Sequence, residues 1–131
     1  MPINGGIIKE GATYAPTGGT DITFTVTGEQ IANGVVAVNK AETDFTAREK
    51  LIAVSRQPVV SATGMTKQKN SLRISRPTVL TGGTIVYNVV RVELEVHPQA
   101  AAGTGTNLLS LASGCINDSD FTDFWAVGSL L

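Results

Sequence analysis

Apolar and polar positions alternate strictly through TDITFTVT (20–27). Ile22, Phe24 and Val26 share one side, and Thr23, Thr25 and Thr27 share the other. This is the two-residue period of a half-buried strand. GIIK ahead of it is a short partner strand and PTGG (16–19) is turn chemistry, so the pattern predicts an N-terminal hairpin over 1–30. ANGVVAV (32–38) reads as a strand opened by an Asn-Gly turn, and KAETDFTA (40–47) as a polar connection. EKLIAVSRQ (49–57) is strand-like, with Pro58 limiting its extension. In KQKNSLRISRP (67–77), Lys67, Lys69, Ser71, Arg73 and Ser75 occupy every second position while Leu72 and Ile74 point the other way, and Pro77 is expected to close the strand. A loop over 77–83 leads to TIVYNVVRVELEV (84–96). There Val90, Val92, Leu94 and Val96 share one face, and Val89, Arg91, Glu93 and Glu95 the other.

Helical spacing replaces alternation after the Pro- and Gly-containing HPQAAAGTGTN (97–107). Leu108, Leu109, Ala112, Cys115 and Ile116 fall on one helical stripe, with Asn107 placed to cap it. Phe121, Phe124 and Trp125 recur at i, i+3 and i+4 in a second short helix that Gly128 stops. The expected fold is α+β: the N-terminal hairpin, an antiparallel meander sheet over 32–96, and two helices over 107–128, all in one domain spanning 1–131. Two helices cannot cover both faces of such a sheet, and helices of roughly ten residues are marginal alone in water. Homodimerisation, with helices laid over the neighbouring subunit, would supply the missing apolar area and remove an exposed edge.

Composition narrows the class. With 42% hydrophobic and 16% charged residues the chain is ordinary globular material, and 5% aromatic content rests its core on aliphatic residues. A single cysteine, Cys115, excludes an intrachain disulfide and suits a reducing compartment. The opening MPINGGIIKEG has neither a basic n-region nor a long apolar run, so no export signal is expected, and no run reaches the length of a membrane span. The net charge of −1 conceals an asymmetry: Arg48 to Arg91 holds eight basic residues against one acid, Glu49. That distribution fits a polyanion partner on one side of the molecule.

Enzyme chemistry fails on inventory. One histidine, His97, and one cysteine support neither a metal site nor a nucleophile–base pair, so no metal, cofactor or small-molecule substrate is expected. GTGTN (103–107) lacks a following lysine and a preceding parallel strand, which makes it a weak phosphate cradle. The alternating basic strand is the stronger candidate. Its side chains would project about 6.6–6.8 Å apart on one face, and Lys67, Lys69, Arg73 and, across the sheet, Arg91 would form a grid of cations fit for a nucleic-acid backbone. Ser71 and Ser75 add hydroxyls, and Tyr87, sharing parity with Val89 and Arg91, offers one stacking surface.

ANGVVAV (32–38), SRQP (55–58), the basic strand ending in Pro77, VRVELEV and two terminal helices together resemble the coat proteins of single-stranded RNA bacteriophages, the leviviruses. The resemblance covers most of the chain in order and spacing, with ANGV its most specific match. It implies an N-terminal hairpin, a five-stranded antiparallel sheet and two helices, in a homodimer that interlocks its helices over a continuous sheet. Dimers would assemble in the bacterial host cytoplasm into a quasi-equivalent icosahedral (T=3) virion shell. The inward sheet face would package genomic RNA and bind an RNA hairpin that represses replicase translation. Carried over by position, Val35 follows the Asn-Gly turn as an RNA-facing valine. Lys69, Ser71 and Arg73 match a Lys-x-Thr-x-Lys strand, and Arg91 and Glu93 fall where the longest strand contacts bases and phosphates.

Strand 49–57 admits two registers. Aligning Gln57-Pro58 directly puts Ile52, Val54 and Arg56 on the RNA face, whereas a one-residue slip puts Leu51, Ala53 and Ser55 there. The second is preferred because Ile52 and Val54 are more stable buried, and it requires a bulge near Arg56. Two rival readings are a β-sheet RNA-binding module that does not assemble and a β-rich adhesion or fibre subunit. Particle formation and co-purifying nucleic acid discriminate them.

Overall fold

The computed structural model describes residues 17–20 and 22–129. The GIIK strand, and with it the first arm of the expected hairpin, lies outside the described residues. Two compact units divide the chain: a sheet unit, Gly19–Gln99, and a unit that holds the segment from Ala100 onward.

The sheet unit contains strands β1 (Phe24–Ile31), β2 (Gly34–Asn39), β3 (Lys50–Arg56), β4 (Val60–Ser61), β5 (Gly64–Met65), β6 (Gln68–Val79) and β7 (Ile85–Val96). Five of them form one antiparallel sheet in the order β1-β2-β3-β6-β7. The fifth strand of the expected sheet is therefore β1, which pairs along β2 and whose residues the sequence pattern assigned to the N-terminal hairpin. Its register shifts between Val26 and Gln30, where Gly28 takes a positive φ of 82°. Two extra residues bend the edge strand there, three lying between Val26 and Gln30 against one between Val35 and Ala37, as a bulge does. The β1–β2 turn places Asn33 at φ 58°, a left-handed conformation Asn tolerates. Gly34 beside it touches the next strand so closely that a Cβ would collide with the Ala53 carbonyl oxygen.

Strand β6 runs through Pro77 to Val79 rather than ending there. Pairing with β3 stops at Ser75, so beyond that point only β7 flanks the strand, and the missing proline N–H faces no ladder partner. The β6–β7 hairpin closes over 80–84: the Leu80 N–H donates to the Thr84 oxygen at 2.8 Å and the Gly83 N–H to the Leu80 oxygen at 2.9 Å. The two-stranded β4–β5 hairpin, between β3 and β6, was not expected from the sequence.

Among the described residues the sheet core is thin. Val36 (1% exposed), Ala37 and Pro77 are its buried apolar residues, and Glu49 and Ser75 are its buried polar ones. Glu49 is the single acid of the basic segment, and burial explains its presence there. Its Oε1 accepts from Arg76 Nη2 (2.8 Å) and Nε (3.1 Å), and its Oε2 from Asn39 Nδ2 (3.0 Å). One carboxylate thus joins the ends of β2 and β3 to β6. These hydrogen bonds, from Asn39 first and with the Arg76 guanidinium adding to them, hold its pKa below the ordinary value.

The helical unit carries α1 (Thr104–Asn117), a 3-10 turn (Ser119–Phe121) and α2 (Thr122–Val127). Helix α1 starts three residues before the expected cap. Gly103, at φ 87°, occupies the N-cap, and the Asn107 N–H already donates to the Gly103 oxygen, which places Asn107 inside the first turn. Gly128, at φ 73°, ends α2 as expected. Trp125 Nε1 donates to the Cys115 oxygen at 2.7 Å and ties α2 to α1, while Phe124 and Trp125 meet edge to face. Leu108, Leu109, Ala112, Ile116 and Trp125 are exposed, and Cys115, Phe121 and Phe124 are half-buried.

Candidate nucleic-acid interface

Directly opposed residues of antiparallel strands project to the same side, so the ladder assigns each side chain to a face. Lys69 stands opposite Arg56 and Glu95, Ser71 opposite Val54 and Glu93, and Arg73 opposite Ile52 and Arg91. Ser75 stands opposite Lys50 and Val89, and Pro77 opposite Tyr87. One face therefore gathers Lys50, Arg56, Lys69, Arg73 and Arg91 with Ser71, Tyr87, Val89, Glu93 and Glu95. The reverse face carries Ala53, Leu72, Ile74, Val90 and Val92. The alternation read in the two long strands is thus the alternation of the sheet.

Three expectations are corrected here. The direct register of β3 holds, not the slipped one: Ile52, Val54 and Arg56 share the basic face, with no bulge near Arg56. Burial against neighbouring side chains within the face satisfies Ile52 and Val54, both half-buried, without turning them over. Ser55 consequently lies on the reverse face, where its Oγ donates to Asn70 Oδ1 at 2.7 Å. Val35 pairs with Ala53 and also lies on the reverse face, because the tight Asn33-Gly34 turn sets β2 so that Gly34 and Val36 face the basic side. Ser75 does occupy the basic face, but at 9% exposure it is covered and its hydroxyl offers little to a partner. Lys67 precedes β6, with its side chain largely exposed.

The charges are not equivalent. Lys69 Nζ lies 3.1 Å from Glu93 Oε1 and 3.5 Å from Glu95 Oε1, and Lys67 Nζ lies 3.9 Å from Glu95 Oε2. The hydrogen bond that Lys69 donates to Glu93, with Glu95 adding attraction, pushes the Lys69 pKa above its ordinary value, so the ammonium stays charged. Lys50 similarly meets Glu29 at 3.4 Å. Arg73 and Arg91 differ: they oppose each other across the ladder, both exposed, with no acidic partner among the described residues. Like charges directly opposite on a sheet cost roughly 0.2–1 kcal/mol. Beside this pair a depression of about 240 Å³ is lined by Val54, Arg56, Lys69, Ser71 and Glu93. A second, of about 480 Å³, runs from Lys69 and Lys67 toward Val59 and Thr66.

The sequence offered Ile52 and Val54, the aliphatic patch between the cations, only in the register that was not preferred. The undisplaced Gln57-Pro58 alignment was their signal. Among the described residues no group of three or more His, Cys, Asp or Glu could hold a metal ion, and no helix is long and apolar enough to cross a membrane.

The described chain is a five-stranded antiparallel sheet with one cationic face, followed in sequence by two helices. Comparison with solved structures supplies the family. The chain is 37% identical to the protein in the virus-like particle of bacteriophage GQ-907, covering 98% of this chain and 99% of that one, with a TM-score of 0.91. It belongs to the coat proteins of the levi-like bacteriophages. Two more distant structures share the fold: the virus-like particle of Wenzhou levi-like virus 4 (17% identity, TM-score 0.71, 93% and 84% of the two chains) and that of bacteriophage AVE019 (14%, 0.64, 80% and 83%). No protein-family model and no curated protein matches the chain.

Proposed function

We propose that this coat protein, acting as one domain over its 131 residues, packages single-stranded RNA on the basic face of its sheet. The observation that carries this reading is the Arg73–Arg91 pair. Two guanidiniums held opposite each other without a carboxylate destabilise the isolated sheet, and a bridging phosphate converts that repulsion into two charge-assisted contacts. Arg56, Lys67 and Lys69 extend the track along the strands, Ser71 adds a hydroxyl donor, and exposed Tyr87 a surface on which a base can stack. An operator hairpin repressing replicase translation would sit on the same face.

The assembling unit is a homodimer. Exposed Val26, Val35 and Val90 on the reverse face, with Leu108, Leu109, Ile116 and Trp125 on the helices, are apolar surface that a second copy would cover. Dimers then build an icosahedral shell in the host cytoplasm with the basic face inward. Expression in bacteria tests the whole reading: closed particles under the electron microscope should co-purify with RNA, seen as a high ratio of nucleic-acid to protein absorbance. Nucleic-acid-free monomers would refute it.

A further inference from the structure

We infer that Phe45, in the loop between β2 and β3, is an assembly knob that docks on the Val60–Met65 pair of the β4–β5 hairpin of a neighbouring subunit and so links dimers head to tail. This rests on the reading of the protein as a shell-forming coat subunit. Phe45 is 80% exposed, the most of any large apolar residue described. The loop that carries it is nonetheless firmly built. Asn39 Oδ1 accepts from the Ala41 N–H (3.2 Å), Glu42 Oε1 from the Asp44 N–H (3.0 Å), and Asp44 Oδ1 from the Thr46 N–H (2.9 Å) and hydroxyl (2.7 Å). Arg48 Nε donates to the Glu42 carbonyl oxygen at 2.8 Å, and its guanidinium carbon lies 4.5 Å from the Phe45 ring centroid, backing one side of the ring. The ring is thus held out to water at a hydrophobic cost, and a partner that covers it meets a loop with little ordering entropy left to lose.

The β4–β5 hairpin offers the complement. Val60 and Met65 are cross-strand partners, so both exposed side chains stand on one side of it. The Val59 N–H donates to Thr66 Oγ1 at 2.7 Å and the Thr66 N–H to the Val59 oxygen at 2.9 Å, which closes the hairpin at its base. A thioether beside an aromatic ring is a favourable contact in its own right. Charge agrees with the pairing. Asp44, exposed next to the knob, has its carboxyl held below the usual carboxylate range by the hydrogen bonds from Thr46, and Lys67, two residues past Met65, is largely exposed. The two surfaces cannot meet within one copy: the loop precedes β3 and the hairpin follows it, and seven residues of strand at ~3.3 Å each set them about 20 Å apart. Each copy therefore gives its knob to one neighbour and receives the knob of another. Such heterologous contacts close into rings where the rotation permits, and they supply the link between dimers that a two-fold interface alone cannot.

The test uses the full-length protein assembled in bacteria, with the photo-crosslinking residue p-benzoylphenylalanine in place of Phe45, which keeps an aromatic ring at the tip. Illuminated particles should yield a covalent ladder running past the dimer, and peptide mass spectrometry should map the adduct to the segment that holds Val60 and Met65. Phe45→Ala, at an exposed position where the fold tolerates the change, should leave dimers and their RNA affinity as in the wild type. It should raise the protein concentration needed for half-assembly at least about tenfold, as loss of a buried aromatic anchor does. An adduct mapping elsewhere, or Phe45→Ala assembling at the wild-type concentration, overturns the knob while leaving the shell intact. A fall in the RNA affinity of Phe45→Ala dimers as large as the fall in assembly also overturns it, because the ring would then be an RNA contact. Failure of the wild type to form particles overturns both this inference and the reading it rests on.

Discussion

Replacing Arg73 by glutamine should make the RNA-free protein more stable and its RNA complex weaker. Arg73 and Arg91 are direct cross-strand neighbours, while Glu93, the nearest diagonal acid, is already committed to Lys69. Glutamine keeps most of the aliphatic stem that lies beside Ile52 and removes only the charge. The relieved repulsion is about 0.2–1 kcal/mol, in line with the roughly 0.6 kcal/mol that Coulomb's law gives for unit charges about 7 Å apart in water. For a chain of 131 residues this raises Tm by about 1–5 °C at low ionic strength, and the gain should vanish in roughly 0.5 M salt, where exposed charges are screened. Single-strand RNA binding should move the opposite way. One lost phosphate contact flattens the slope of log affinity against log salt by about 0.7, which is a factor of about 2.6 between roughly 50 and 200 mM. The two readouts are thermal melting at one protein concentration and RNA titration across salt. A fall in Tm together with an unchanged salt slope would refute the reasoning, because it would make Arg73 a structural side chain rather than a ligand-binding one.

Further perturbations check the scaffold. Glu49→Gln should cost about 1–3 kcal/mol through loss of the charge-assisted bonds to Arg76 and the bond to Asn39, seen in chemical denaturation at pH 7. Because the folded pKa of Glu49 lies below the ordinary glutamate value, the charge-dependent advantage of the wild type should be fully present above that ordinary value and disappear as pH falls through the lower, folded pKa. Gly34→Ala should destabilise by about 2 kcal/mol or more, since the new methyl meets the Ala53 carbonyl oxygen, with Ile31 Cδ1 at 2.9 Å and Val54 Cγ2 at 3.1 Å. Val36→Ala, at 1% exposure, should cost about 2 kcal/mol, and a surface-like cost near zero would show that β2 is not part of the core.

Strict alternation over long runs made β6 and β7 legible, because one face is charged and the other aliphatic, so a one-residue slip would invert both. Strand β3 was not legible in the same way. LIAVS is apolar at nearly every position, and hydrophobicity alone could not choose between Ile52 and Ala53 for the basic face. The pairing to Arg73 and Ser71 decided it. Val35 was misplaced for a related reason. The Asn-Gly motif gives a turn, but which face the next residue takes depends on where the ladder resumes, and Gly34 rather than Val35 falls opposite Val54. Pro77 misled because a proline rule for central strands was applied to a stretch that has only one neighbour. At α1, the left-handed Gly103 opened the helix before the asparagine that side-chain preference had favoured.

The same alternation explains why charge on this sheet is spent unevenly. In β6 and β7 one face must be polar to leave the other apolar, so the polar positions are supplied whatever their function. What function adds is the choice of sign. Opposite Lys69 the chain places Glu95, with Glu93 two positions along β7, and the ammonium is held. Opposite Arg73 it places Arg91, and nothing described on the sheet holds either. A fold selected for stability alone would put an acid at one of those two positions, gaining a cross-strand pair instead of a repulsion. The unneutralised site lies where β6 is flanked by β3 on one side and β7 on the other, the part of the sheet best able to bear the cost. On the proposed function, repulsion carried there and relieved by a bound phosphate would couple RNA capture to the stability of the coat protein itself.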